Sequence, residues 1–223
     1  MKNYSVFDIV GPNMIGPSSS HTAGAARIGK LASKIAGGEI VDVKFLLHGS
    51  FASTYRGHGT DKALVGGILG FSPEDERIKT SFELAKEKGI SFEFIATDLG
   101  DTAHPNTAKV VMTLKSGEVV EVAGASIGGG NVKINEINGL ELEFTGQYVT
   151  LIVEQNDLPG AAAHITKCLA ETNVNIAFMR IYRHGKGEIA NTIIEADEDI
   201  SLEVVEMIKS NKALIRNAFV IKM

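Results

Sequence analysis

The run Gly16-Pro17-Ser18-Ser19-Ser20-His21-Thr22 concentrates hydroxyls around one histidine, directly ahead of an apolar stretch with helical spacing. A helix N-terminus presents unpaired N–H groups and partial positive charge. Serines placed there can cap the helix or help bind a carboxylate or phosphate. A histidine titrates near neutral pH and can move a proton. The plain alternative is an N-cap beside a solvated histidine. One serine suffices for a cap, so Ser18, Ser19, Ser20, His21 and Thr22 together point to an anionic ligand.

Three further histidines sit in short loops. His48-Gly49-Ser50 follows an apolar β-branched run, and loops after strands in α/β domains often face ligands. Gly57-His58-Gly59-Thr60-Asp61 flanks its histidine with glycines, which allow backbone to come close to a ligand. A turn with Thr60 as helix cap and Asp61 on the helix dipole would explain that segment equally well. Asp101-Thr102-Ala103-His104-Pro105-Asn106-Thr107 reads on its own as a loop entering a strand. Four of the six histidines thus lie in loops of the first half, which leads us to expect a shared cleft.

Other motifs carry less. Gly128-Gly129-Gly130 falls between strands rather than before a helix, so it reads as a turn and not as a phosphate loop. Gly185-Lys186-Gly187-Glu188-Ile189-Ala190 formally fits a dinucleotide pattern but lies in a hairpin, the wrong context. Cys168 sits on the inward face of a helix and reads as core.

Two sets of elements must position these residues. In the first half we expect helices over Ser20–Ile35, Thr60–Leu69 and Pro73–Lys88, the last ending at Gly89. Strands are expected over Ile40–Leu47, Phe92–Ala96, Thr107–Lys115, Glu118–Ser126 and Asn131–Asn135, with a turn at Lys115-Ser116-Gly117. After about Thr145 the pattern becomes regular: strand Tyr148–Glu154, a break at Asn156-Asp157-Leu158-Pro159-Gly160, and a helix through Ile165, Cys168 and Leu169. Strands Ile176–Tyr182 and Glu188–Ala196, a helix capped by Ser201 and a strand Ile215–Ile221 complete it. The order β-α-β-β-α-β is ferredoxin-like. The fold class is therefore α/β (α+β), in two domains, 1–145 and 146–223.

Composition bounds the function. The chain has 223 residues, 44% hydrophobic and 22% charged, ordinary globular values with room for a core. Its net charge is −5 and neither half is basic, which argues against nucleic acid. No apolar run is long enough to span a bilayer, and Met1–Asp8 lacks the apolar stretch of a signal peptide, so a cytoplasmic protein is expected. With one cysteine the chain cannot hold a metal cluster by itself, so any iron–sulfur chemistry would draw thiolates from another chain.

Taken together, Gly16–Thr22, His48-Gly49-Ser50, Gly57–Asp61 and His104-Pro105-Asn106-Thr107 resemble the bacterial iron–sulfur L-serine dehydratases. The continuation Ala23-Gly24-Ala25-Ala26-Arg27 looks like the two-subunit branch, and the likeness covers essentially the whole chain. It implies a beta subunit that works with an alpha subunit carrying a [4Fe-4S] cluster. It also implies a lyase reaction: L-serine loses its α-proton and hydroxyl, iron polarising the hydroxyl, and the enamine hydrolyses to pyruvate and ammonia, a link to gluconeogenesis. The Ser18, Ser19, Ser20 and Thr22 hydroxyls would hold the substrate carboxylate and His21 would transfer a proton, although the alpha chain could equally supply the base. His48, Gly49, Ser50, His58, Thr60 and Asp61 would belong to the same substrate site. The second half resembles an ACT domain, in which Asn156, Asp157, Leu158, Pro159 and Gly160 form the loop that binds a small amino-acid effector and which commonly self-associates. Serving only as a dimerisation surface is the alternative for this domain.

Two other readings remain. The first domain also resembles the regulatory region of some phosphoglycerate dehydrogenases, so the chain could be a non-catalytic amino-acid sensor. It could also be a structural assembly subunit with no ligand.

Overall fold

The computed structural model describes residues 14–183 and 185–222. The segment Met1–Asp8, read above for a leader, lies outside them. The chain divides into two compact units, one ending at Gly139 and the other starting at Leu140.

The first unit is built on a sheet of strands β1 (Ile40–Leu47), β2 (Ser91–Ala96), β3 (Thr107–Leu114), β4 (Val119–Gly128) and β5 (Asn131–Ile137), ordered β2-β1-β3-β4-β5. The β1–β2 pair is parallel and the others are antiparallel. Alternation sets the register of burial: Val110, Met112 and Leu114 of β3 are buried while Lys109, Val111 and Thr113 between them are half-exposed. Helices α1 (Ala25–Ala36), α2 (Gly49–Thr54), α3 (Thr60–Ile68) and α4 (Ser81–Glu87) complete the unit. Ile28, Leu31 and Leu64 are fully buried with Phe45 and Met112 in its core. α1 crosses α3 closely enough to bring Gly29 against the Leu64 carbonyl.

Two expected helices are shorter than their periodicity suggests. The apolar spacing from Ser20 is helical, but the chain first makes a π-helical turn, Ser19–Gly24, and becomes α-helical only at Ala25. Pro73–Lys88 is likewise not one helix. Asp75 caps a 3₁₀ turn, Glu76–Thr80, by accepting from Arg77 N at 3.0 Å, and α4 begins only at Ser81. Both times a capping side chain, Ser18 or Asp75, bonds the backbone at the start of a non-α turn that precedes the α-helix. Sequence periodicity missed α2, whose six residues are too few to show a repeat, and strand β6 (Leu140–Phe144), which opens the second unit.

The second unit contains β7 (Val149–Asn156), α5 (Ala161–Glu171), β8 (Ile176–Arg183), β9 (Ile189–Ala196), α6 (Leu202–Lys209) and β10 (Ile215–Ile221). Its sheet order β10-β7-β9-β8 is the antiparallel ferredoxin-like arrangement expected from the element order. Leu151, Val153, Ile165, Leu169, Ile194, Val205, Ile208 and Ile215 form its core, and Cys168 lies buried among them. Ser201 caps α6 by accepting from Val204 N. No described helix is long and apolar enough to cross a membrane.

Candidate functional site

The π-helical turn brings its polar residues onto one another. Ser18 is its N-cap and accepts a bond from the His21 amide at 3.3 Å. The His21 ring folds back so that Nδ1 lies 3.3 Å from Ser18 Oγ and 3.2 Å from Ser20 Oγ. Its other nitrogen, Nε2, lies 3.0 Å from Ser50 Oγ, in the first turn of α2. Both ring nitrogens therefore face hydroxyls, which donate or accept as needed. Such partners suit a ring that changes its protonation state, because each serine can rotate rather than lose its bond.

Aromatic rings complete the setting. His58 meets His21 edge-on with centroids 4.8 Å apart, and Phe51 does so at 5.3 Å. Thr22, fully buried, donates to the His58 carbonyl at 3.1 Å and so ties the turn to the segment before α3. His21 itself is buried. Burial and then the neighbouring His58 hold its imidazole below the usual histidine range, which favours the neutral, basic form.

The remaining first-unit residues divide. Ser19 lies half-buried on the turn. Gly49 takes φ 56° and packs against Pro105, whose carbonyl accepts from Phe51 N at 3.3 Å. His48 N donates to Thr107 O at 3.0 Å, so the loop around His104 is stitched to the loop around Ser50. The histidine rings do not all converge, however. His48 turns its Nδ1 to the Leu99 amide at 3.1 Å, and the exposed His104 accepts from Asn106 N. Their local hydrogen bonds replace the shared four-histidine cleft with a histidine pair, His21 and His58. Thr60 is not the helix cap: Gly59, at φ 68°, holds that position, and Thr60 Oγ1 is buried with no hydrogen-bond partner among the described residues. Asp61 accepts from Lys62 N at 2.8 Å, and burial raises its carboxyl above the usual range.

Sequence reasoning missed Phe51, hidden in an unrecognised helix, and Ser126 of β4, whose buried side chain packs against Gly24 of the turn. The Ala125-Ser126-Ile127 run carries no local signal, because a lone serine in a strand is unremarkable. Gly128-Gly129-Gly130 is a tight β4–β5 turn, its last carbonyl held by Arg27 at 2.7 Å.

In the second unit the loop Asn156–Gly160 is bonded on both sides. Asp157 accepts from the Arg183 guanidinium and from Gly187 N at 2.8 Å, and Arg183 holds its carboxyl below the usual range. Asn156 bonds Ala213 O at 2.8 Å and Arg216 Nε at 2.7 Å. The Asp157, Leu158 and Ala161 amides are taken by Glu188, Asn156 and Leu158 carbonyls. Leu158 is exposed, and Gly160 (φ 95°) leads into α5.

An iron–sulfur cluster does not fit this chain's donors. Its single thiol, Cys168, is buried in the second unit, and burial raises its pKa, which disfavours a thiolate. No group of three or more His, Cys, Asp or Glu gathers among the described residues.

The family model described as "Serine dehydratase beta chain" matches residues 5–136, and that described as "ACT domain" matches residues 149–212. An L-serine dehydratase beta chain of Peptoniphilus asaccharolyticus is 46% identical over 201 residues, 90% of each chain. The chain belongs to the serine dehydratase beta chain family. A probable L-serine dehydratase beta chain of Bacillus subtilis is also 46% identical, covering 92% of this beta chain and 93% of its own length. A D-3-phosphoglycerate dehydrogenase of Bacillus subtilis is 26% identical over 82% of this beta chain but 34% of its own length. The ferredoxin-like second unit of this beta chain is its ACT domain.

Proposed function

We propose that this chain is the beta subunit of an L-serine dehydratase, a lyase that converts L-serine to pyruvate and ammonia and is active with its alpha subunit. Two beta-chain relatives 46% identical over nine-tenths of the sequence support the family activity. The observation that carries the site is His21, buried and held at both ring nitrogens by serine hydroxyls.

In this reading residues 1–145 form the substrate domain and 146–223 the ACT domain. Ser18, Ser19 and Ser20 bind the serine carboxylate through their hydroxyls at the turn, and Thr22, whose hydroxyl is given to the His58 carbonyl, holds the turn in place for them. Neutral His21 accepts or returns a proton at a ring nitrogen, its hydroxyl partners rotating as the charge appears. Gly49, Ser50, His58, Thr60 and Asp61 complete the substrate site, while His48, its ring turned to the Leu99 amide, braces the loop through its backbone bond to Thr107. The alpha subunit supplies the thiolates of a [4Fe-4S] cluster, since this chain has one cysteine. Working in the cytoplasm, the enzyme would pass pyruvate to gluconeogenesis.

The ACT domain adds regulation. Asn156–Gly160 binds a small amino acid, and the domain self-associates through β8, the sheet-edge strand that exposes Phe178 and Ile181.

Reconstitution tests this function. The purified chain alone should show neither cluster absorbance nor serine deamination, and adding the alpha subunit anaerobically should produce both. Robust deamination by this chain alone would overturn the subunit assignment.

A further inference from the structure

Ser126 lies in β4 with its side chain fully buried, and its amide donates to Asn106 O at 3.0 Å. Its hydroxyl has no hydrogen-bond partner among the described residues. Gly24, which ends the π-helical turn, rests directly on it: a Cβ added at Gly24 would fall 2.1 Å from Ser126 Oγ and 2.6 Å from its Cβ. The turn that carries His21 is thus seated on β4 at a contact only glycine permits.

An alanine would fill nearly the same space as Ser126 without burying an unpaired hydroxyl, which is costly. Its buried neighbours Val122, Ala123 and Ala125 are apolar, as a strand core requires. Of the three other buried side-chain polar atoms unpaired among the described residues, two, His58 Nδ1 and Thr60 Oγ1, lie on the segment gripped by Thr22, and the third, Asn135 Oδ1, is on β5. Unsatisfied polar atoms therefore collect around a π-helical turn, an irregular geometry that recurs at functional sites.

We propose that Ser126 is a positioning residue for His21: it seats the turn through Gly24, and its hydroxyl, unpaired here, bonds the turn's backbone once substrate draws the turn into its working position. The inference rests on the reading of His21 as the proton-transfer group. A bond made only in the working position contributes to turnover rather than to resting stability or ground-state binding.

The test uses the reconstituted complex. Ser126→Ala should lower kcat roughly 10-fold, leave KM within about twofold and leave Tm unchanged or higher. Gly24→Ala should be far more damaging, because its methyl meets Ser126, and Gly24→Ala/Ser126→Gly should return to the level of Ser126→Ala. Wild-type kcat in Ser126→Ala, a fall in Tm matching its activity loss, or a double variant as impaired as Gly24→Ala would overturn the proposal. His21→Ala separates the two readings. If it turns over normally, the proton-transfer role fails and this inference fails with it; if it is inactive while Ser126→Ala is normal, only the role of Ser126 fails.

Discussion

His21 Nε2 lies 3.0 Å from Ser50 Oγ, a hydrogen bond that joins the turn ahead of α1 to the first turn of α2 across 29 residues of sequence. It holds the imidazole from the side opposite Ser18 and Ser20. Removing it should misorient the ring without emptying the site. We expect Ser50→Ala to lower kcat of the complex by roughly 10-fold, and His21→Ala by roughly 10²-fold or more, with assembly intact in both. Normal turnover in His21→Ala would end the catalytic reading of this turn.

Burial, and after it His58, hold the His21 pKa below the ordinary value of 6.5. The neutral base then persists into mild acid, so the acid limb of kcat/KM should fall below pH 6.5. His58→Gln should move that limb upward only in part, because burial is the larger cause. Stability follows the same linkage. Below 6.5 the unfolded chain binds this proton more readily than the folded chain, so His21's contribution is fully present above that pH and is lost as pH falls toward the lowered folded value. Melting temperatures across pH for wild type and His21→Ala would show it: the acid-side slope should be shallower in the variant.

Gly49 is the joint between β1 and Ser50. At φ 56° an L side chain is strained, and a Cβ there would sit 2.7 Å from Pro105 O. Gly49→Ala should therefore cost about 1–3 kcal/mol of stability in denaturant unfolding. It should also weaken the Ser50–His21 bond. An alanine variant as stable as wild type would show that the loop can relax around the methyl.

Phe178 on β8 is 52% exposed and meets the Tyr148 ring with centroids 5.8 Å apart. If this edge is where two copies meet, Phe178→Glu should weaken self-association about 10-fold or more in sedimentation equilibrium. Wild-type chain that stays monomeric at every concentration tested would remove the premise.

Much of this molecule was legible in the residues. The ACT half could be read strand by strand because its apolar residues alternate regularly and each break is marked by Gly, Pro or a cap. Ile215–Ile221 and Ile40–Leu47 fall where β-branched patterning places them. The Ser18–Thr22 run announced itself because local composition exceeded what a cap needs. Periodicity says nothing about short elements, so α2 was missed and Phe51 with it. A repeat in apolar spacing also cannot distinguish a π-helical turn from an α-helical one over six residues, too few for their different periods to separate.

The sequence by itself determined which groups the candidate site can draw on, several hydroxyls and histidines able to carry a proton, and that one lone thiol cannot build a cluster. Side-chain chemistry and local spacing suffice for that. Only the tertiary structure decided that His21 pairs with Ser50 and His58 while His48 and His104 turn to Leu99 and Asn106. It alone placed Ser126 beneath Gly24. Those choices depend on strand order and on distances between residues remote in sequence, which the linear pattern of residue types does not encode locally.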